Sequence, residues 1–441
     1  MNELTEVVTA FNQGKLDEVE TKVKKLINDT NRSLSERIQL MMMYIEALMF
    51  HQKTLTALKI FERMTLLFQV GPGLSESEFT LLVEKWTRFA SLLIQPLEVS
   101  AHEIKPPFLL APKTSYSNSS IIVHKNHLCL AIRNSNYTIK DDFSYECYND
   151  VWNRYFSDTY LQLYDLQYRV VSYHQVVDKA EFPRFDTTFM GYEDPRLFSF
   201  NNKLYFTATN LQVYSQFKPH IVLCHLNDEG DISKVVPLSC PDMKEAQKNW
   251  LPFVDVHAKF PRLLTIYRMS PFIVLQHDIE TGQHTEVVNI PTPHINFPLV
   301  KGSASPIPWG NGYLFVIHYT LPCRQPRNYM YYYHRFVWMD DKFVPTRMSQ
   351  SFYVLHRGTE FISGLTYFNS YLYLTLSVLD ERAYMVRFTA ETLNHSLTWF
   401  DFSTGKTLTP DNHDLIPPAK LPAKALNDFT PPPMHLKSSA V

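Results

Sequence analysis

A short pattern returns five times along the chain: a polar cluster, a brief apolar strand, a turn, and a longer apolar or aromatic strand. Roughly 55 to 75 residues separate successive copies, somewhat more than in well-known propeller repeats. Five hairpins at this interval predict five β-propeller blades, each with about four strands around a central channel. The copies begin at Asn118, Glu193, Lys248, Gly302 and Glu360.

The polar clusters, called the heads of the repeats below, lie where the innermost strands are expected to begin. In a propeller these starts converge on one mouth of the channel, so the heads predict the site of any chemistry. The second head, GYEDPR, brings Glu193, Asp194 and Arg196 there. Neighbouring carboxylates beside a cation can hold different protonation states, as acid–base chemistry at a glycosidic bond requires. The structural alternative is an Asp-Pro turn in which Arg196 pairs with an acid and fixes the start of the blade.

Other polar residues recur at the heads or at the ends of the second strands. Amides, acids, a lysine and an aromatic ring around a pocket suit a sugar, whose hydroxyls take polar contacts and whose ring stacks on an aromatic face. Each of these residues, taken singly, is also compatible with a structural role. The candidate ligand-binding residues are Asn118, Arg133, Asn136, Arg196, Lys248, Asn249, Trp250, Ser303 and His318, and the candidate catalytic acids are Asp194, Glu193 and Glu360.

Three segments of different composition follow one another along the chain. Residues 1–98 show helical spacing in helix pairs and are similar to tetratricopeptide repeats. They would serve either as a cap on the propeller or as a module that binds a protein partner. Residues 105–402 alternate β-branched and aromatic runs with turns, which predicts the mainly β propeller. Residues 408–441 are rich in proline and are expected to be extended or disordered.

Composition and charge exclude several classes of function. A formal net charge of −2 on 441 residues offers no basic field for nucleic acid. The five cysteines have no metal-ligand spacing, which favours reduced thiols and a cytoplasmic protein. We expect no membrane span and no cofactor, since the sequence lacks a long apolar run, a nucleotide-binding glycine motif and an Asp-x-Asp metal clamp.

GYEDPR, the spacing of Asn118 and Arg133, and the five hairpins resemble one family, the five-bladed propeller enzymes that act on β-mannosides. This family, number 130 among the glycoside hydrolases, comprises phosphorylases and hydrolases, with related β-1,2-mannosyltransferases. The resemblance covers about residues 105 to 395 and includes KNWLPF, GSASPIPWGNGYLFVIHYT and EFISGL. It implies an enzyme whose ligands are an oligosaccharide and either inorganic phosphate or a sugar phosphate.

The resemblance also implies roles for individual residues. Asp194 matches the general acid of the family, which protonates the glycosidic oxygen through a hydroxyl of the bound mannose. Asn118 and Arg133 match positions that hold the non-reducing sugar. Arg196 and Lys248, with His318 as a weaker match, fall near positions that bind phosphate in the phosphorylases.

The sequence departs from the family pattern at two points, which leave the reaction open. The paired glutamate bases of the hydrolases have no clear counterpart, since Glu360 is the one further acid at a head. Only Arg196 matches the phosphate-binding arginine pair cleanly. Inverting phosphorolysis, hydrolysis and transfer all remain open, and so does the alternative of a non-catalytic, sugar-binding or scaffold propeller whose helices bind a protein.

Overall fold

The structure is a computed structural model. It describes residues 3–29, 31–51, 53, 56–58, 60–61, 64, 89, 93–140, 142, 144–148, 154–213, 218–292, 300–321, 331–403 and 407–408. The chain divides into two compact units, residues 1–96 and 97–441. Most of the proline-rich tail predicted for 408–441 lies outside the described residues, as does Cys323.

The first unit contains three described helices, α1 (Glu3–Asn12), α2 (Leu16–Asn28) and α3 (Leu34–Phe50), and a two-residue strand, β1 (Gln95–Pro96). The start of α3 shows why a helix begins there: the hydroxyl of Ser33 accepts from the N–H of Glu36, whose carboxylate accepts from the N–H of Ser33. Helix α1 packs on α2, and α2 on α3. The tetratricopeptide-like stacking and its protein partner stay predictions.

The second unit is mainly β, as predicted, and all five predicted hairpins form. Its main strands group into five blades of four antiparallel strands each. Blade 1 contains β3 (Ser115–His124), β4 (His127–Ser135), β7 (Tyr155–Tyr164) and β8 (Val170–Gln175). Blade 2 contains β10 (Glu193–Phe200), β11 (Lys203–Asn210), β12 (His220–Leu226) and β13 (Ile232–Pro237). Blade 3 contains β14 (Leu251–Val254), β15 (Leu263–Met269), β16 (Phe272–His277) and β17 (His284–Ile290).

Blade 4 contains β18 (Val300–Trp309), β19 (Gly312–Leu321), β20 (Tyr331–Asp340) and β21 (Pro345–Ser349). Blade 5 combines β23 (Glu360–Phe368), β24 (Tyr371–Val378) and β25 (Arg382–Thr389) with β2 (Ser100–Ile104), which comes from the other end of the unit. Blades 1 and 5 are joined into one sheet by a parallel pairing of β25 with β3. The shorter elements are β5 (Tyr137–Ile139), β6 (Tyr145–Cys147), β9 (Phe189–Gly191), β22 (Phe352–Tyr353), β26 (Trp399–Asp401), β27 (Thr407–Leu408) and helix α4 (Ala390–Ser396).

The first strands of the blades form a ring. Strand β3 contacts β10, β10 contacts β14, β14 contacts β18, β18 contacts β23, and β23 returns to β3. Because β2 pairs with β25, one blade contains strands from both ends of the unit, which holds the ring shut. This arrangement is the five-bladed propeller that the repeats predict.

Tight turns set the register of the inner hairpins. Strands β3 and β4 are joined by Lys125-Asn126, and β10 and β11 by Asn201-Asn202, and all four residues have positive φ. Two residues with positive φ make the primed turn that matches the twist of paired strands, and asparagine tolerates that conformation. These turns lie at the end of each inner strand opposite its head, so the heads share the other end of the channel.

No helix among the described residues is long and apolar enough to cross a membrane. The four described cysteines, which are Cys129, Cys147, Cys224 and Cys240, are buried, and no disulfide joins any two of them.

Candidate functional site

The heads lie at irregularities of the inner strands. The pairing of β3 with β4 shifts between Ser117 and Ser120, and that of β10 with β11 shifts between Glu193 and Arg196. Extra residues at a bulge re-aim side chains away from the regular alternation. Asn118, Asp194 and Asn249 occupy equivalent places in blades 1, 2 and 3, and each has positive φ, between 49° and 62°. Asparagine and aspartate adopt that conformation more readily than other side chains, which explains these residue types at this point of the repeat.

Asp194 lies at the centre of a polar cluster that joins blades 1 and 2. Its Oδ1 accepts from Asn118 Nδ2 at 2.9 Å and from Arg133 Nη1 at 3.1 Å. The side-chain oxygen Oδ1 of Asn118 in turn accepts from the Ser377 hydroxyl of blade 5. The structure therefore brings together the three residues that the family resemblance assigns to the acid and the sugar. We call Asn118, Arg133, Glu193, Asp194 and Lys248 the mouth cluster.

Glu193 holds the second carboxylate of the mouth cluster. Its Oε2 accepts from Lys248 Nζ at 2.8 Å, and its Oε1 lies 3.7 Å from Arg133 Nη1. The side chains of Glu193 and Asp194 keep 27% and 19% of their surface exposed, whereas Arg133 keeps 7%. Both acids therefore keep part of their surface open to solvent, whereas the arginine that contacts both of them is almost fully buried.

The two acids have opposite pKa shifts. Burial works to raise the pKa of Glu193, but Arg133 and Lys248 overcome it and hold that pKa below its usual value. Burial raises the pKa of Asp194, and the negative charge of Glu193 adds to it, while Arg133 opposes. Glu193 is thus the ionised partner and Asp194 the one that retains a proton more readily. Two carboxyl groups whose pKa values are pushed apart are the usual mark of an acid–base site.

Arg196 lies across the channel axis instead of facing the mouth. Its Nη1 donates to the carbonyls of Ser303 in blade 4 and, at 3.5 Å, Ser363 in blade 5, and its Nη2 donates to Asn249 Oδ1 in blade 3 at 3.4 Å. The side chain is buried, and burial lowers the pKa of its guanidinium to about 10. These contacts give Arg196 a structural role, as the alternative interpretation predicted, but its partners are main-chain carbonyls and an amide and not the acid that this interpretation expected.

A cavity of about 320 Å³ lies beside the mouth cluster, between blades 3 and 4. Its lining includes Lys248, Arg268 and Lys301. Arg268 pairs with Asp242 at 2.7 Å, but Lys301 has no carboxylate within ion-pair distance among the described residues. Burial and the charge of Lys248 lower the pKa of Lys301. Two ammonium groups that repel each other in one cavity favour an anionic ligand between them.

Asn136 and Ser303 have structural contacts. The Asn136 side chain donates to the Arg154 carbonyl at 3.0 Å and accepts from the Phe156 N–H at 2.7 Å, which fixes the chain where it leaves β4. The fully buried hydroxyl of Ser303 donates to the Ile362 carbonyl and links blades 4 and 5.

The structure overturns the expectation that Trp250 offers a face to a sugar. Only 2% of this residue is exposed, and its ring packs between blades 2 and 3. The indole stacks on His277 and meets Tyr267 edge-on, while its N–H donates to Gln247 at 3.3 Å. The reason is the backbone just before β14: Asn249 has positive φ, so the chain changes direction there and the next side chain is directed into the core.

Glu360 does not lie at the equivalent of the other heads. The irregularity of β23 comes between Ile362 and Gly364, so Ser363 occupies that place. The Glu360 carboxylate is fully buried and accepts from the N–H groups of Val354, Leu355 and His356 at 2.7–2.9 Å. Burial raises its pKa to about 7, against the opposing effect of these donors. A carboxylate held in this way is a structural acid and not a base that faces a ligand.

His318 is buried on β19, opposite Lys301 on one side and His334 on the other. Its ring stacks on Tyr332, with centroids 5.6 Å apart. Burial above all, and then the charges of its neighbours, lower its pKa well below the usual value, so the imidazole is neutral. A neutral ring in a packed position fits the structural interpretation that the sequence allowed for a lone histidine.

Sequence reasoning missed Lys301 and the tyrosines beside Arg133. Lys301 lies two residues before Ser303, whereas Lys248 lies directly before Asn249, so aligning the repeats residue by residue gave no signal for it. Tyr137 accepts a hydrogen bond from Arg133 Nη2 and lies on a short hairpin inserted in blade 1. No repeat position corresponds to that insertion, so the pattern gave no signal for it. Among the described residues, no three His, Cys, Asp or Glu side chains form a group suited to a metal ion.

Comparisons with known proteins place the chain near one group of solved structures. No family model and no curated protein sequence matches it. The chain is similar in structure to a glycoside hydrolase of the GH130 family of mannoside phosphorylases that targets β-1,2-mannosidic linkages in Candida mannan. The two sequences are 11% identical, the match covers 63% of this chain and 85% of that chain, and the TM-score is 0.46.

Two further structures are a β-1,2-mannobiose phosphorylase and a mannose phosphorylase. The first, from Listeria innocua, is in complex with β-1,2-mannobiose, with 13% identity, 69% and 97% coverage and a TM-score of 0.43. The second, from Leishmania mexicana, is in complex with phosphate, with 14% identity, 74% and 96% coverage and a TM-score of 0.44. At these identities and scores, the functional argument has to come from the residues of the mouth cluster.

Proposed function

We propose that this chain is a carbohydrate-active enzyme that exchanges a β-linked mannose, or a similar hexose, between an acceptor sugar and inorganic phosphate. One observation carries the proposal: Glu193 and Asp194 are partly exposed and have opposite pKa shifts, and Lys248, which pairs with Glu193, lines a cavity in which Lys301 lacks a carboxylate partner among the described residues. The first half of this arrangement suits proton transfer to a leaving oxygen, and the second half suits an anion.

In the proposed reaction, Asp194, the phosphate and Glu193 have separate roles. Protonated Asp194 supplies a proton to the glycosidic oxygen as the bond between that oxygen and the anomeric carbon breaks. A phosphate oxygen attacks the same carbon from the opposite side, which yields a hexose 1-phosphate with inverted configuration and the free acceptor sugar. Glu193 stays ionised between Arg133 and Lys248, and its charge raises the pKa of Asp194.

Phosphorolysis fits these residues better than hydrolysis. An inverting hydrolase needs a second carboxylate that activates water, roughly 6.5–9.5 Å from the acid. Glu193 is held by two cations, and Glu360 is enclosed by three backbone N–H groups. Phosphate brings its own nucleophilic oxygen and so requires no such base.

The test is a product analysis in both directions. We expect inorganic phosphate and β-1,2-mannobiose to give mannose 1-phosphate and mannose, and mannose 1-phosphate with an acceptor panel to give the disaccharide and free phosphate. Mass analysis and a phosphate assay follow both reactions. Release of free mannose without sugar phosphate would replace phosphorolysis by hydrolysis, and GDP-mannose as the only competent donor would replace it by nucleotide-sugar transfer.

The buried guanidinium of Arg196 favours the alternative of a non-catalytic sugar-binding or scaffold propeller, since its donors contact main-chain carbonyls and an amide. Saccharide binding without consumption or release of phosphate, across a panel of mannosides, would support that alternative and end the enzymatic proposal.

A further inference from the structure

A short hairpin carries an exposed tyrosine to the edge of the mouth cluster. Strands β5 and β6 lie between the second and third strands of blade 1, and Tyr145 begins β6. Its ring meets Tyr137 at 5.3 Å between centroids, Tyr155 at 5.2 Å and Phe189 at 5.1 Å. We call these four rings the aromatic wall. Three supporting rings hold Tyr145 in place, yet it remains 42% exposed.

The aromatic wall is joined directly to the mouth cluster. Arg133 Nη2 donates to the Tyr137 hydroxyl, and the guanidinium lies 5.7 Å from the centre of that ring. The same guanidinium contacts Asp194. Tyr145 lies close enough to feel the charges of Glu193 and Lys248, which act on its pKa after the larger effect of burial raises it. The exposed ring is therefore connected to Asp194 through Tyr137 and Arg133.

The two sugars of a disaccharide ligand would lie at different depths beside the mouth cluster. Arg196 closes the axis beneath the heads, and the side chains of Arg133 and Asp194 are mostly buried, so a ligand reaches the acid from the mouth. The sugar whose anomeric carbon reacts then lies deepest, and the sugar that leaves lies towards solvent. Tyr145, which is joined to Arg133 through Tyr137, is an exposed aromatic side chain beside the mouth cluster.

We propose that Tyr145 is the platform on which the leaving, or acceptor, sugar stacks. This inference rests on the proposed function and assigns the outer subsite of that same site. A pyranose ring has an apolar face of C–H groups, and a tyrosine held by neighbouring rings offers a matching surface without loss of side-chain freedom on binding. The platform takes the place that sequence reasoning gave to Trp250.

The experiment compares a disaccharide with a monosaccharide. The affinities of β-1,2-mannobiose and mannose are measured by calorimetry in phosphate-free buffer, with the full-length protein and with Tyr145→Ala, Tyr145→Phe and Tyr148→Ala. We expect Tyr145→Ala to lower the affinity for the disaccharide about five- to tenfold and the affinity for mannose less than about twofold. The reason is that only the disaccharide reaches the outer subsite. Tyr145→Phe keeps the ring and should stay within about twofold of the wild type for both sugars.

Tyr148→Ala is the matched control, since Tyr148 follows the same hairpin, is 53% exposed and has no ring contact with the aromatic wall among the described residues. Three results would contradict the proposal that Tyr145 stacks on the leaving sugar. They are an equal loss of affinity for both sugars in Tyr145→Ala, an unchanged affinity in that variant, and no binding of the disaccharide to the wild type. A phosphorolysis assay of Asp194→Asn separates the two proposals. Full activity of that variant contradicts the proposed function, whereas an inactive Asp194→Asn with an unaffected Tyr145→Ala contradicts only the platform.

Discussion

Two acidic regions of the propeller differ in what surrounds their carboxylates. At the mouth, Glu193 and Asp194 contact the side chains of Arg133, Lys248 and Asn118 and keep part of their surface open. In the interior, Glu360 is fully buried, and three consecutive backbone N–H groups donate to it. Both regions raise the pKa of an acid by burial, so a shifted pKa alone does not distinguish them.

The comparison separates carboxylates that contact side-chain cations, as expected at a catalytic site, from carboxylates that contact backbone N–H groups, as expected at a structural one. Side-chain cations can rearrange when a ligand brings its own charge, whereas backbone donors are fixed by the fold. Removing an acid from the mouth should therefore affect turnover, and removing Glu360 should affect stability. Each of the following substitutions tests that separation.

The largest effect is expected for Asp194→Asn. The amide cannot supply a proton, so phosphorolysis should fall by about 10²–10⁴-fold, the usual contribution of a general acid. The midpoint of thermal unfolding should change little, because the amide oxygen still accepts from Asn118 and Arg133. Asp278→Asn, at the turn between β16 and β17, is the control and should keep full activity. A fully active Asp194→Asn would end the assignment.

Glu360→Ala should act on stability instead. Its loss leaves three N–H groups without their acceptor, and we expect the free energy of unfolding to fall by about 2–4 kcal/mol. Denaturant titration measures the change, and Glu381→Ala, an exposed acid between β24 and β25, should stay within about 0.5 kcal/mol of the wild type. If Glu360→Ala were stable but inactive, Glu360 would have to be assigned a catalytic role instead of a structural one.

Lys301→Met should raise the KM for phosphate about tenfold and leave the KM for disaccharide within about twofold, because it removes one of two ammonium groups that favour an anion. The unfolding midpoint should not fall, since Lys301 has no carboxylate partner among the described residues. Lys342→Met, at the other end of blade 4, is the control. Equal changes in both KM values would mean that the cavity does not bind phosphate.

The smallest effect is a pH dependence of stability. The pKa of Glu360 is raised from 4.5 to about 7, so its protonated form is favoured in the folded chain. The stability that this group contributes is complete below about pH 4.5 and is lost as pH rises through about 7. The difference in unfolding free energy between wild type and Glu360→Ala should therefore be larger at about pH 5 than at about pH 8. A constant difference would contradict the raised pKa.

The fold was readable from the sequence because its repeats are local. Each hairpin carries its own turn, as Asn201-Asn202 shows, and apolar strands follow at a fixed distance from the head. The pairing of β2 with β25 joins segments from opposite ends of the unit, and no pattern within a repeat encodes it.

The site was readable in part. Asn118, Arg133 and Asp194 converge because they occupy heads and strand ends, which a repeat places together. Trp250 was misplaced because the positive φ of Asn249 redirects the chain, and Glu360 because the irregularity of β23 comes only at Ser363; sequence spacing shows neither. Tyr145 lies on an insertion, where the repeat offers no reference.

Arg196 has a consequence for the order of events. Its guanidinium spans the axis from blade 2 to the carbonyls of blades 4 and 5, so under the proposed function a molecule bound at the heads exchanges with solvent at the mouth and not through the channel past this residue. Whatever enters last must then depart first. In the direction of synthesis, the sugar phosphate would have to occupy the protein before the acceptor, and steady-state kinetics should show a compulsory sequence in which excess acceptor, bound to the empty protein, competes with the sugar phosphate.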